Sequence, residues 1–270
     1  MEMLKSISEN LRTVKEKSPL VHHLTNYVTV NDCANMVLAV GGSPVMADDI
    51  GEVAEMASLA SALVINMGTL NKRTIASMIL AGQTAREHGI PVIFDPVGIG
   101  ATTLRTDTAV KIIRETQPAV IRGNMSEIKC LSGLNVQIKG VDSTADEAGG
   151  ERIAQNLAQK QGCVIAITGA TDIISDGSRT CLITNGDKML SRVTGTGCMT
   201  TSLIGTYCGA TKDLFLGAAS GIMTMGLAGE IACHSLKEAE GIGTFRVRLF
   251  DAVFNLSPES LLRGGKISLA

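Results

Sequence analysis

Tryptophan is absent from this chain of 270 residues, and aromatic side chains make up only 3% of it. That leaves little with which to stack the bases of a single-stranded nucleic acid. A surplus of positive charge is missing too, since the formal net charge is −2. Binding along a phosphate backbone leaves a basic footprint, so the composition argues against nucleic acid as a partner. No C-x-x-C pair occurs, and the seven cysteines (33, 130, 163, 181, 198, 208 and 233) are odd in number. Most stand in apolar stretches, which predicts a reduced cytoplasmic protein with neither a disulfide frame nor a zinc site. The first residues are charged and hold no apolar stretch of signal-peptide type. Residues 214–229 carry no charge, but they are shorter than a membrane span and rich in Gly, Ala, Ser and Thr. They read as a buried core helix, and no membrane partner is expected.

What the chain does have is apolar mass and glycine. The apolar fraction is 45% against 19% charged, enough for a large core, and the 29 glycines follow no repeat. No linker divides the sequence, so residues 1–270 are expected to form one domain. Short β-branched runs at 20–24, 62–66, 91–95, 119–122 and 163–168 alternate with helical patterns near 31–40, 50–60, 71–88, 105–116, 124–133 and 145–161. Such alternation predicts an α/β fold, a central mostly parallel sheet flanked by helices on both faces. Runs at 173–175, 181–184 and 189–192 read as shorter strands with turns at Asp176-Gly177 and Asn185-Gly186. Two long helices follow, near 197–210 and 214–236, with Gly205, Gly209, Gly217 and Gly221 spaced for close packing.

Ligands of open α/β sheets sit beyond the carboxyl ends of the strands. The strand ends here carry chemistry. Asp95 closes one apolar run and is followed by Pro96-Val97-Gly98; it is either a turn former or a functional carboxylate. Arg122-Gly123-Asn124-Met125-Ser126-Glu127 joins a strand to a helix. Asn124 and Glu127 fit a capping box, while Arg122 suits either a surface ion pair or a phosphate oxygen. Thr168-Gly169 ends another run with a hydroxyl. Val193-Thr194-Gly195-Thr196-Gly197-Cys198 places two glycines before a long helix, where unpaired N–H groups favour an anion. It lacks the lysine of a Walker A loop. Cys198 stands in the first turn, where a thiol pKa can fall. His22 and His23 are adjacent on a strand and point to opposite faces, so they are expected to pack rather than chelate one metal.

Together these segments resemble the hydroxyethylthiazole kinase family of the ribokinase-like fold. The resemblance runs from Ser18-Pro19-Leu20-Val21-His22 and Thr25-Asn26-Tyr27-Val28 through Gly42-Ser43-Pro44-Val45-Met46 and Asn66-Met67-Gly68-Thr69-Leu70. It continues through Asp95–Gly98, Arg122–Glu127, Lys139-Gly140-Val141-Asp142 and Ile167-Thr168-Gly169 to Cys198. It implies phosphorylation by ATP of the hydroxyl of 4-methyl-5-(2-hydroxyethyl)thiazole, a step of thiamine salvage. By the family pattern Asn26, Met46 and Gly68 line the thiazole pocket, and Arg122 and Thr168 contact the ATP phosphates. Gly195 through Gly197 and Cys198 form the anion hole, with Gly195 toward the substrate and Gly197 toward the phosphates. Asp95 and Glu127 handle Mg²⁺, and the active assembly is a homotrimer with the site at a subunit boundary. The wider fold usually has Asp where Cys198 stands. Cysteine there fits the narrower family and makes Cys198 the catalytic candidate, which either assists deprotonation of the accepting hydroxyl or merely occupies the general base's usual place. Two alternatives share the fold, a dehydratase acting on hydrated nicotinamide cofactors and a non-catalytic nucleotide-binding regulator. The dehydratase normally has G-x-G-D, and the retained Asp95, Arg122 and Glu127 argue against the regulator.

Overall fold

The computed structural model describes residues 2–134 and 149–270. The Lys139–Asp142 motif and the start of the helix expected at 145 lie outside the described residues. Among these residues the strands are β1 (Leu20–Leu24), β2 (Ser43–Val45), β3 (Ala62–Asn66), β4 (Val92–Asp95), β5 (Val120–Asn124), β6 (Val164–Thr168), β7 (Asp172–Ser175), β8 (Thr180–Ile183) and β9 (Ile267–Leu269). They form one sheet in the order β2-β1-β3-β4-β5-β6-β7-β8-β9. Pairing is parallel from β2 to β6 and antiparallel from β6 to β9.

The helices are α1 (Glu2–Lys17), α2 (Val30–Val40), α3 (Val53–Leu59), α4 (Lys72–Glu87), α5 (Thr103–Thr116), α6 (Met125–Leu131) and α7 (Gly150–Gln161), followed by α8 (Thr196–Ala210), α9 (Leu214–His234), α10 (Ile242–Phe254) and α11 (Pro258–Gly264). Side chains alternate across a strand, and the central strands feed two cores in that rhythm. Ala62, Val64, Ile93, Val120, Val164 and Ala166 join the core beneath α1, α2, α8, α9 and α10. Leu63, Ile65, Phe94, Ile121, Ile165 and Ile167 join the core beneath α3, α4, α5, α6 and α7. A sheet buried on both faces explains why these strands read as continuous apolar runs.

Helix α9 is long and apolar enough to cross a membrane, yet most of it is buried inside the protein. It packs on α8, where a Cβ at Gly221 would lie 2.6 Å from the backbone nitrogen of Ile204. The glycines expected to bring these helices together thus divide their work. Gly217 and Gly221 meet α8, whereas Gly205 meets Val64 of the sheet and Gly209 meets Ser61 and Pro19.

The strand expected at 189–192 is instead a 3₁₀ turn, Lys188–Arg192. The Asp187 carboxylate accepts from the N–H of Met189 at 2.8 Å, and none of the five residues is buried against the sheet. The edge beside β8 is taken by β9, from the far end of the chain. Asn185 holds it there by accepting from the N–H of Lys266 at 2.7 Å, so Asn185-Gly186 is an anchor and not a hairpin turn. The Asp176-Gly177 turn does join an antiparallel pair, β7 and β8.

Candidate active site

Six neighbouring strands, β2, β1, β3, β4, β5 and β6, run parallel and end on one side of the sheet. Their order lays the expected site residues in a row. Met46 follows β2, Asn26 follows β1, and Gly68 follows β3. Asp95 ends β4, Arg122 and Glu127 flank the end of β5, and Thr168 ends β6. Chain order differs from this spatial order, because β2 lies outside β1.

Over the row stands the start of α8. Gly195 occupies its N-cap in a left-handed conformation (φ 85°), and no side chain caps the helix. A Cβ there would lie 2.3 Å from Thr29 Cγ2, which closes the position to larger residues. At Gly197 a Cβ would lie 2.7 Å from Arg122 Nη1. The helix start is therefore wedged between the loop after β1 and the arginine of β5. Its first N–H groups have no intrahelical partner and carry partial positive charge.

One end of the site is built from neutral amides. Asn26 Nδ2 donates to Asn66 Oδ1 at 2.9 Å and to Cys198 Sγ at 3.3 Å. Asn66 Nδ2 donates to the same sulfur at 3.2 Å and to Asp95 Oδ2 at 2.8 Å. Asn66 Oδ1 also accepts from the N–H of Gly68 at 2.9 Å, which sets the turn after β3. Asn26 Oδ1 is fixed in turn by the N–H and hydroxyl of Thr29 at 3.1 and 3.0 Å. Met46 is half-buried and packs on the core at the end of the row.

The other end carries charge. Asp95 is fully buried. Its Oδ2 accepts from Thr201 at 2.8 Å and lies 3.6 Å from Arg122 Nη1. Its Oδ1 has no hydrogen-bond partner among the described residues, and neither has Arg122 Nε. Arg122 Nη2 donates to the hydroxyl of Thr168. Glu127 completes the expected capping box with Asn124, accepting from its N–H at 2.8 Å. Its second oxygen accepts from the N–H of Gly98 at 2.9 Å, so Glu127 also ties down the loop that follows Asp95.

Burial and the proximity of two carboxylates decide the electrostatics. Burial pushes the Asp95 carboxyl above its ordinary range, against the pull of Arg122 and the hydroxyl of Thr201. Glu127 is raised by burial and then by the charge of Asp95. Cys198 sits where a helix start favours a thiolate, yet burial and the charge of Asp95 hold its pKa up, outweighing Thr29, Arg122 and Asn26. The thiol is protonated at rest. His22 and His23 are buried packing residues, as expected. Each turns to its own side, His22 Nε2 to the carbonyl of Ala47 at 2.7 Å and His23 Nε2 to Ser202 at 3.0 Å. Burial brings the His23 imidazole down to about 4.

Among the described residues no group of three or more His, Cys, Asp or Glu side chains gathers around one point. A metal here would need ligands beyond the protein. That suits Mg²⁺, which keeps waters and is held by one or two carboxylates together with substrate phosphates. The orphaned Asp95 Oδ1 and the two raised carboxyls are what such a cation would relieve.

Sequence reasoning missed Asn66, Thr201 and Arg105. Asn66 leaves a trace, a polar residue ending a fully buried run. Thr201 is one hydroxyl among several on α8 and becomes visible only once Asp95 is placed against it.

The model of the hydroxyethylthiazole kinase family matches residues 11–259. A protein of Alkaliphilus oremlandii (strain OhILAs) described as hydroxyethylthiazole kinase is 55% identical over 99% of both chains. The chain belongs to the hydroxyethylthiazole kinase family. The crystallised hydroxyethylthiazole kinase protein of Pyrococcus horikoshii OT3 is 38% identical, covers 98% of both chains and superposes with a TM-score of 0.87. A ribokinase-like superfamily protein of Enterococcus faecalis V583 shares 13% identity and a TM-score of 0.60, over 95% of this chain and 84% of that one. At that distance the likeness concerns the fold, which is ribokinase-like. Family membership makes the chain an ATP-dependent kinase, with ATP as co-substrate and a small molecule as acceptor.

Proposed function

We propose that the chain transfers the γ-phosphoryl group of ATP to the hydroxyl of 4-methyl-5-(2-hydroxyethyl)thiazole. The observation that carries this reading is the row of strand-end residues beneath the uncapped start of α8. Its amide end suits a neutral heterocycle, and its charged end suits phosphates. Asn26, Gly68 and Met46 line the thiazole, with Gly195 beside the hydroxyethyl arm. Arg122, Thr168 and the N–H of Gly197 hold phosphate oxygens. The acceptor oxygen forms a bond to the γ-phosphorus as the bond to the ADP oxygen breaks. Extra negative charge on the transferring oxygens faces the N–H groups of residues 196–198.

Asp95 and Glu127 would hold Mg²⁺, directly or through water, while both Glu127 oxygens keep the N–H bonds that fix its side chain. Bound there, Mg²⁺ would neutralise phosphate charge that develops during the transfer. Cys198 touches the acceptor hydroxyl. Held protonated by its surroundings, it orients that hydroxyl and does not start by removing its proton. A loose transition state tolerates this, and the hydroxyl proton passes late to an oxygen of the transferred phosphoryl group.

The whole chain works as one kinase domain. Tyr27 and Val28, 80% and 58% exposed beside Asn26, support a subunit boundary at the thiazole end and a homotrimer. Seven free thiols support a cytoplasmic location. An ADP-release assay with the thiazole alcohol, hydroxymethylpyrimidine and pyridoxal in parallel tests the reaction. Release above background with the thiazole alcohol and Mg²⁺ is expected, and none would overturn the reading. Sedimentation tests the trimer, which a fully active monomer would rule out.

A further inference from the structure

Arg105 lies outside the row, on the first turn of α5. Its guanidinium pairs with no carboxylate among the described residues. It spends its donors on three backbone carbonyls instead. Nη1 donates to Met67 O and to Val97 O, both at 2.8 Å, and Nη2 donates to Gly68 O at 2.8 Å. Met67 and Gly68 follow β3; Val97 follows β4. One planar group thus clamps two loops that have no covalent reason to keep a fixed spacing.

Those loops belong to opposite ends of the site. Gly68 is pressed against Asn26, where a Cβ would lie 2.9 Å from that side chain. Its N–H is already held by Asn66. On the other side, the residue after Val97 is Gly98, whose N–H holds Glu127. Gly98 adopts a left-handed conformation (φ 71°), and a Cβ there would stand 3.5 Å from the Arg105 side chain. The clamp therefore holds the thiazole-end residue Gly68 directly and sits one residue from the phosphate-end contact at Gly98.

The geometry points to Arg105 as the positioning residue that sets the distance between the acceptor pocket and the Asp95–Glu127 pair. This rests on the kinase reading above. Nη1 alone bridges the two loops, and Nη2 takes a second carbonyl of the loop after β3, so the planar fork holds all three carbonyls in one fixed arrangement. A lysine keeps the charge but is shorter and lacks the fork, so it cannot hold the three carbonyls in that arrangement. Misplacing reacting groups by about 1 Å costs on the order of 100-fold in rate, whereas ATP is held mostly by Arg122, Thr168 and α8, which Arg105 does not touch.

The experiment compares wild type, Arg105→Lys, Arg105→Ala and Thr102→Ala in steady-state kinetics with the thiazole alcohol. Thr102 Oγ1 accepts from the N–H of Arg105 as the N-cap of α5, so its loss loosens the helix start without removing the guanidinium. Arg105→Lys and Arg105→Ala are expected to lower kcat by roughly 10- to 100-fold, with the KM for ATP within about twofold of wild type. Added guanidinium should restore part of the Arg105→Ala rate, and methylammonium should not. Thr102→Ala should lower Tm and keep wild-type kinetics. Wild-type kinetics in Arg105→Lys, equal rescue by both cations, or a rate loss in Thr102→Ala matching that of Arg105→Lys would each overturn the assignment. If Arg105→Ala does not fold, Arg105→Lys and Thr102→Ala decide alone. A wild type that phosphorylates no thiazole alcohol overturns the kinase reading itself, which separates the two failures.

Discussion

Arg179 and Arg122 both meet carboxylates, in two different parts of the same sheet. Arg179 stands on the β7–β8 turn, half exposed. It donates to Asp176 at 2.7 Å and to both oxygens of Asp213 at 2.8 and 2.9 Å, and its guanidinium lies 4.4 Å from the ring centre of Phe215. Arg122 is mostly shielded from water, 3.6 Å from Asp95, and its Nε has no partner among the described residues. The proton equilibria follow the geometry. Burial alone would raise Asp176, but the N–H and guanidinium of Arg179 outweigh it and bring the carboxyl to about 2. Burial wins at Asp95 and keeps it raised. A completed cluster in water is a structural tie. An incomplete one, sealed from water, has hydrogen-bonding capacity left for a ligand.

Asp95→Asn tests this most severely. Turnover should fall on the order of 100- to 1000-fold, the range for losing a group that acts on the transition state. Stability should not fall with it. A carboxyl raised in the folded state contributes stability that is full below its unfolded pKa and lost as pH rises through the folded value. Burial therefore penalises the charged form of Asp95, and at neutral pH the variant's Tm without Mg²⁺ or nucleotide should equal or exceed the wild type's. A lower Tm with intact turnover would break the comparison.

Gly197→Ala should have the next effect. The new methyl would meet Arg122 Nη1 at 2.7 Å. Displacing one charge-assisted phosphate contact should raise the KM for ATP by about 10-fold, read from initial rates at saturating acceptor.

Arg179→Ala should do least. Its exposed pairs are screened, so the loss is about 1 kcal/mol, or roughly 2–4 °C in Tm, with kcat unchanged. The depressed Asp176 gives stability that is full above the ordinary carboxylate range and lost as pH falls toward 2. Melting curves of wild type and variant should differ at neutral pH and converge in acid.

The parallel half of the sheet was legible because its strands are buried on both faces and read as apolar runs. The placement of Asp95 and Thr168 at strand ends, and of Gly195–Cys198 at a helix start, was legible from the same alternation of runs and helical patterns. The site was not legible where a role depends on a partner far along the chain. Thr201 reaches Asp95 across 106 residues, and Arg105 reaches Met67 and Gly68 across 38 and 37. Strands β2 and β9 are three residues each and lack a fully buried position. Their neighbours make them strands, not their composition. The misread segment at 189–192 opens with two apolar residues, but a side chain at Asp187 offers its backbone a tighter turn.

The position of α8 in the chain has a consequence for synthesis. Every strand of the row is made before residue 169, whereas the helix that covers the row begins at residue 196. Thr201, the α8 hydroxyl that donates to Asp95, and the uncapped N–H groups of the helix start therefore arrive together, after all the strand ends are made. A nascent chain stopped before residue 196 holds the strand-end residues without the helix start that stands over them.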